Sequence, residues 1–315
     1  MASRRPRTLL LTLDAFDTIF HPRQPVPEQY AAAADAFGLP RSTITPERLA
    51  AAFKSTFKAQ SKAYPNYGRE YVLRGQYGGP RQWWEEVIRG SFSRAMTGDS
   101  EQFGVNNEIP PALVTYLVER FASSEGYALF DDVEPFLAAV REIKSRKRGS
   151  VFDRVLLGVI SNSDDRVPAV LKSLGLRVGH VRADQGVESR RLPGFETDGA
   201  VGSPSRSKDG DEQVRQVDDV DLVITSYEAG EEKPSRVIFD VARRQAQRLA
   251  HGADDADSDW VCMHVGDDVD KDYHAALSVG WDGYYIPRGD TAHDTHGVKT
   301  IHSLLDLIPT IETYR

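Results

Sequence analysis

Apolar and polar positions alternate along this chain between two periods. Thr8 to Leu13 is an unbroken apolar and β-branched run, the pattern of a strand covered on both faces in a parallel sheet. From Val26 to about Ser123 the spacing becomes helical, with Tyr30, Ala33, Ala34 and Phe37 on one face. Thr45-Pro46 pairs a capping hydroxyl with proline at the first helical position, and Ala50, Phe53 and Phe57 continue that helix. Pro80-Arg81-Gln82-Trp83-Trp84 opens another and Pro110-Pro111-Ala112 a further one. Residues 21–124 are therefore expected to form an all-α module of about four helices.

Strand and helix then alternate. Val155–Ile160, Asp221–Thr225, Trp260–Val265 and Gly283–Ile286 are apolar runs of strand length. Between and around them, helices are expected at Val133–Lys147, Val167–Leu174, Ser235–Leu249, Lys271–Val279 and His302–Ile311, with Gly175 and Gly280 as C-terminal stops. This alternation predicts an α/β fold: a doubly wound, Rossmann-like parallel sheet with right-handed crossovers in a three-layer core. The core is expected to comprise residues 1–20 and 125–315. Residues 184–219 break the pattern, because their Gly, Ser, Pro, Asp, Arg and Lys content is too poor in apolar residues to pack; a disordered surface insertion is expected there. Ala253 to Asp259 is a shorter acidic loop.

Composition narrows the partners. A formal net charge of −8 argues against a general nucleic-acid or anionic-membrane surface, leaving room for a local basic pocket. The single cysteine, Cys262, excludes an internal disulfide and suits a reducing compartment; its apolar run marks it as a small core residue. The N-terminal apolar run ends at Asp14, too short for a secretory signal, and the strand beginning near Thr8 leaves no room for a cleaved presequence. No segment approaches membrane-spanning length. The expected location is the cytoplasm, with the nucleus open and secretion excluded.

Ligands of doubly wound sheets sit outside the carboxyl ends of the strands, and four unusual polar groups fall at such ends. Asp14 follows the first strand, Ser161-Asn162 the Val155 strand, and Gly266-Asp267-Asp268 the Trp260 strand, with Asp272 beyond; Lys233-Pro234 precedes a helix after the Asp221 strand. Carboxylates, a hydroxyl and a lysine gathered at one rim suit a hard cation such as Mg²⁺ and a phosphate. Taken singly, each has a plainer reading: Asp14 or Ser161 as a helix cap, Lys233 as a solvated lysine. Asp268 and Asp270 are expected to be solvated or capping, and His264 to face the core. His293 and His296 read as loop residues. Trp83 and Trp84 are expected to pack the helical module, and Arg69, Arg74 and Arg81 to be solvated.

In this order, LLLTLDAFDTIF, GVISNSD, EEKPS and HVGDDVDKD resemble the four motifs of the haloacid dehalogenase (HAD) superfamily, and the helical module resembles a C1-type cap. Arg81-Gln82-Trp83-Trp84, Val159 to Asn162 and Asp282-Gly283 are similar to one branch of that superfamily with fungal members. The resemblance implies a hydrolase in which Asp14 attacks and forms a covalent ester. It implies Mg²⁺ held by Asp14, the backbone carbonyl of Phe16 and Asp267, with Asp272 ligating the ion or supporting a ligand. Ser161, Asn162 and Lys233 would bind a small, phosphorylated substrate, Ser161 and Lys233 also serving catalysis. One departure matters. Phosphatases of the superfamily carry a second aspartate two residues after the nucleophile, and glycine next to it; here these positions are Phe16 and Asp17. Three readings stay open: a phosphatase with a displaced acid or an activated substrate, a 2-haloacid dehalogenase, and a catalytically weakened binding or regulatory protein.

Overall fold

The first apolar run forms β1 (Arg7–Leu13), buried along its length except at Arg7. The computed structural model describes residues 6–97, 108–146, 150–184, 192–195, 217–250, 259–289 and 296–314. Strands β4 (Arg154–Ser161), β5 (Val178–Val181), β6 (Val220–Thr225), β7 (Asp259–Gly266) and β8 (Asp282–Tyr285) join β1 in one sheet of order β5-β6-β4-β1-β7-β8. Every pairing in it is parallel. The chain leaves β1 in both directions, so the carboxyl ends of β4, β1 and β7 form the crevice that such a winding offers a ligand.

Alternation within β1 supplies both faces. Leu9, Leu11 and Leu13 pack with Phe136 and Val140 of α6 (Val133–Ser145) and with Leu307 and Ile311 of α11 (Leu307–Glu312). Leu10 packs on the other side with Ile238, Phe239 and Ala242 of α9 (Arg236–Ala250) and with Trp281. Each fully buried leucine contributes about 1.5–3 kcal/mol. The expected three layers are present.

Between Pro22 and Tyr127 the described residues hold five helices: α1 (Val26–Ala36), α2 (Pro46–Ala63), α3 (Pro65–Leu73), α4 (Pro80–Thr97) and α5 (Pro111–Arg120). Thr45 caps α2 as expected, accepting from the Arg48 N–H at 3.3 Å. Helix α3 escaped the sequence reading because it begins with a left-handed turn: Asn66, Tyr67 and Gly68 have φ of 46°, 59° and 76°. A two-stranded antiparallel ribbon, β2 (Phe20–Pro22) with β3 (Tyr127–Leu129), brackets the five helices. The apolar cluster on the α6 side of the sheet continues into Tyr30, Phe92 and Leu117 of the helices.

Short elements differ from the periodic reading. β5 has four residues and an irregular register against β6, too little for an alternation signal. The helix expected at Lys271–Val279 is a π-helical turn, Val269–His274, running into α10 (Ala275–Ser278). Asp268 caps that turn, accepting from the N–H groups of Asp270 and Lys271. Helix α7 (Val167–Ser173) stops before Gly175, whose φ of 92° only glycine adopts freely. The expected surface insertion at 184–219 lies largely outside the described residues, as does His293. Within it Leu192 is buried beside Val72 and Tyr227, and the carbonyl of Pro193 accepts from the Tyr227 hydroxyl at 2.7 Å. No helix among the described residues is long and apolar enough to cross a membrane.

Candidate active site

Register brings the polar groups together. Leu13 pairs with Val159 of β4 and Val265 of β7, so the residues that leave these strands emerge side by side. The Asp14 N–H donates to the carbonyl of Val265 at 2.8 Å, fixing the turn out of β1. Lys233 arrives from the link between α8 (Ser226–Ala229) and α9. Its backbone is clamped by Asn162: the amide oxygen accepts from the Lys233 N–H at 2.6 Å and the amide nitrogen donates to the Lys233 carbonyl at 2.9 Å.

The Lys233 ammonium is buried and spends its three donors on Asp14 Oδ1 at 2.8 Å, Asp272 Oδ1 at 2.6 Å and the Ile160 carbonyl at 3.0 Å. Asp272 is otherwise engaged as well. Its Oδ1 lies 3.1 Å from His264 Nε2, and its Oδ2 accepts from the Asp268 N–H at 3.0 Å. Gly266 makes room for this carboxylate, because a Cβ there would sit 2.1 Å from Asp272 Oδ2. Among the described residues Asp267 is held by its own backbone N–H and by a long contact, 3.5 Å, from the Thr18 hydroxyl. Carboxylate oxygens of Asp14, Asp267 and Asp272 all lie within 4.8 Å of one another. Ser161 is buried at the end of β4, and its hydroxyl, like the Phe16 carbonyl, enters no hydrogen bond among the described residues.

One ammonium among three carboxylates leaves the site short of positive charge. Burial alone would lower the Lys233 pKa, but Asp14 and Asp272 outweigh it and hold the lysine charged. Burial raises Asp14 against the pull of Lys233. Asp272 is buried too, yet Lys233 and His264 hold it well below the usual carboxylate range. Asp267 has no such partner: burial, then the charges of Asp14, Asp272 and Asp17, push it up to about 8. A divalent cation answers this arrangement. The donors are all oxygens, two of them, Asp267 and the Phe16 carbonyl, are otherwise little used, and the charge deficit is positive.

Beside Asp267 opens a cleft of about 540 Å³, lined also by Asp17, His21, Tyr285 and Arg288. Asp17 is exposed at its rim with φ of 53°, a left-handed position that glycine fills most easily and aspartate tolerates. Burial of its carboxyl raises its pKa. The Phe16 ring instead packs against Phe20 and Tyr127, at centroid distances of 4.8 and 5.6 Å.

Two contributors were missed. His264 is fully buried, as expected of a core residue, but it touches Asp272 and lies 2.9 Å from the Thr12 hydroxyl through Nδ1. The one Thr12 hydroxyl proton is shared between the Met263 carbonyl, 3.0 Å away, and Nδ1, so an Nε2–H tautomer donating to Asp272 fits when Thr12 turns to Nδ1; burial lowers the histidine's pKa and favours the neutral ring. Thr12 pairs with His264 across the strands and shares a face with Asp14 by the period of two, so the alternation did contain this signal. Arg69 also departs from expectation. Its side chain is only 11% exposed, lying against Gly230 of the core, whereas Arg74 and Arg81 are exposed. Trp83 is buried among the helices as expected; Trp84 reaches out of them, donating to Asp164 at 2.7 Å.

The family model described as HAD-hydrolase-like matches residues 231–307, the stretch carrying Lys233, Asp267 and Asp272. An uncharacterized protein of Saccharomyces cerevisiae is 27% identical over 292 residues, covering 91% of this chain and 74% of that protein. A Schizosaccharomyces pombe protein, named as an uncharacterized hydrolase, is 28% identical over 276 residues, or 88% of this chain and 89% of its own. The Bos taurus haloacid dehalogenase-like hydrolase domain-containing protein 3 is 28% identical over 285 residues, 90% of this chain and 84% of that protein.

Proposed function

We propose that this chain, similar to haloacid dehalogenase-like hydrolases over most of its length, is a hydrolase and within that class a Mg²⁺-dependent phosphatase acting on a small phosphorylated metabolite through a covalent ester of Asp14. The observation that carries this is the charge deficit at the sheet rim: three carboxylates gathered within 4.8 Å around a single buried lysine. Asp14, the Phe16 carbonyl and Asp267 would hold the ion, with Asp272 adding a ligand or, as its hydrogen bonds favour, fixing Lys233. A bound divalent cation supplies the positive charge that lets an anionic nucleophile and an anionic phosphoryl group meet.

The chain's own groups do the rest. Lys233, bonded to Asp14 Oδ1, opposes the effect of burial, favouring the ionised nucleophile, and aims it. Its carboxylate attacks phosphorus, forming the aspartyl O–P bond while the ester O–P bond breaks. The Ser161 hydroxyl is free to donate to a phosphoryl oxygen, and Asn162 keeps Lys233 in register. The departing alkoxide needs a proton that Phe16 cannot give. Asp17 is the nearest candidate, with its raised pKa and its place beside Asp267 in the cleft. Water then hydrolyses the aspartyl phosphate. Helices α1–α5, residues 21–124, act in this reading as the cap over the rim.

Phe16 also favours a second reading. Halide leaves without a proton, so a 2-haloacid dehalogenase has no use for an acid at that position. A third, a binding protein with a weakened site, follows if no group replaces the acid. A panel of aryl and alkyl phosphates and 2-haloacids, with and without Mg²⁺, separates the three. Phosphate release that needs Mg²⁺ and vanishes in Asp14→Asn supports the phosphatase. Metal-independent halide release replaces it with the dehalogenase, and binding without turnover leaves the third.

A further inference from the structure

Away from the carboxylate rim, a cavity of about 50 Å³ lies between the β4–α7 loop and helices α1, α2, α4 and α5, and Arg166 is the one charged residue in its lining. Arg166 is 4% exposed. Its guanidinium carbon sits 4.2 Å from the centre of the Trp84 ring and 5.8 Å from that of Phe16. Buried Asp164 approaches its Nε at 3.3 Å, yet both Asp164 oxygens are already engaged: Oδ2 by the Trp84 indole N–H at 2.7 Å, Oδ1 by the backbone N–H of Arg166 at 3.1 Å. Among the described residues the guanidinium donates no hydrogen bond, and its buried Nε has Asp164 as an ion-pair neighbour only.

A guanidinium so placed, its buried Nε making no hydrogen bond, is expensive to leave without a further acceptor. The hydroxyls of Tyr30 and Tyr127, both in the cavity lining, likewise make no hydrogen bond among the described residues. Both tyrosines lie close enough to bear on the charge of Arg166, and burial raises their own pKa, keeping them neutral donors. The remaining walls, Phe53, Ile88 and Leu117 among them, are apolar. Phe16, two residues from the nucleophile, contacts both Tyr127 and Arg166, so the cavity adjoins the active site on the Phe16 side.

We propose that this cavity receives a carboxylate carried on the leaving group, bound by Arg166 and by the hydroxyls of Tyr30 and Tyr127, so that the preferred substrate is a phosphate ester with a short carboxylic-acid arm. This rests on the phosphatase reading above. A planar carboxylate matches the guanidinium fork.

The test compares phosphate esters of ω-hydroxy acids of increasing length with alkyl phosphates of the same lengths, all with Mg²⁺. At the best length the carboxylated ester has a KM roughly 10- to 100-fold lower, and Arg166→Gln brings the ratio close to one. Should Arg166→Gln fail to fold, Tyr30→Phe and Tyr127→Phe, which remove only hydroxyls, narrow the ratio at unchanged Tm. Equal KM values across the wild-type pairs, or a preference that survives all three substitutions, overturn the proposal while leaving the phosphatase intact. If neither series releases phosphate, the phosphatase reading fails. Calorimetry on the wild-type protein then decides the pocket: tighter binding of the carboxylated ester supports it, and equal binding of both overturns it.

Discussion

Asp267 carries the least compensated charge at the rim, since burial and three neighbouring carboxylates push it up to about 8. Replacing it with asparagine removes both the repulsion and a proposed ion ligand, and the two effects have opposite signs. Asp267→Asn is expected to raise the Tm of the metal-free protein and to weaken Mg²⁺ binding by at least roughly 10- to 100-fold. Calorimetric Mg²⁺ titration beside a melting curve reads both; a lower metal-free Tm would show that the charge is compensated after all. Phe16→Asp supplies the acid that the chain lacks and is expected to raise alkyl-phosphate turnover by up to about 10²-fold. No gain would mean that another group, such as Asp17, already serves. These residues were legible in the sequence because each ends an apolar strand. His264 and Arg166 were not. Their importance comes from contacts with Asp272 and Trp84, and the sequence does not order those contacts.

At the scale of elements, long periodic segments were readable and short ones were not. β1, β4, β6 and β7 have six to eight residues, five to seven of them buried, whereas β2, β3 and β5 have three or four residues and make sense only through their partners. The left-handed start of α3 is the strained junction between helices and sheet. Left-handed backbone costs about 1–2 kcal/mol per non-glycine residue. Asn66 offsets this with its amide, donating to the Ser226 carbonyl at 2.8 Å and accepting from the Ser226 hydroxyl at 3.0 Å. Asn66→Ala is expected to cost about 1–3 kcal/mol in denaturant unfolding; a change within error would mean that the turn is held by other contacts. At the opposite edge, Asp219 immediately precedes β6. Burial opposes its ionisation, but bonds from Arg177 and Arg141 outweigh this and hold it at about 2. Its folded pKa lies below the unfolded value, so the stabilisation is full above about pH 4 and fades as pH falls towards 2. With partly exposed arginines this amounts to at most about 2 kcal/mol. Asp219→Asn should flatten that part of the stability–pH curve, and an unchanged slope would contradict the pairing.

Over the whole molecule, sheet and helices share one apolar cluster while the polar groups meet at a single rim. On the phosphatase reading, a chain of net charge −8 serves an anionic substrate through local positive charge: one buried lysine and the proposed divalent ion. Removing the ion should therefore destabilise the protein as well as silence it. At Mg²⁺ a hundredfold above Kd, linkage predicts about 2.7 kcal/mol of added stability, visible as a Tm that rises with Mg²⁺ and falls on chelation. The central claim is that Asp14 carries the phosphoryl group. Acid quenching of the wild-type protein during turnover of an aryl phosphate with Mg²⁺, followed by peptide mass spectrometry, tests it directly. The phosphoryl group should appear on the peptide containing Asp14 and be absent from Asp14→Asn. Turnover with the label on another residue, or undiminished turnover in Asp14→Asn, would contradict it.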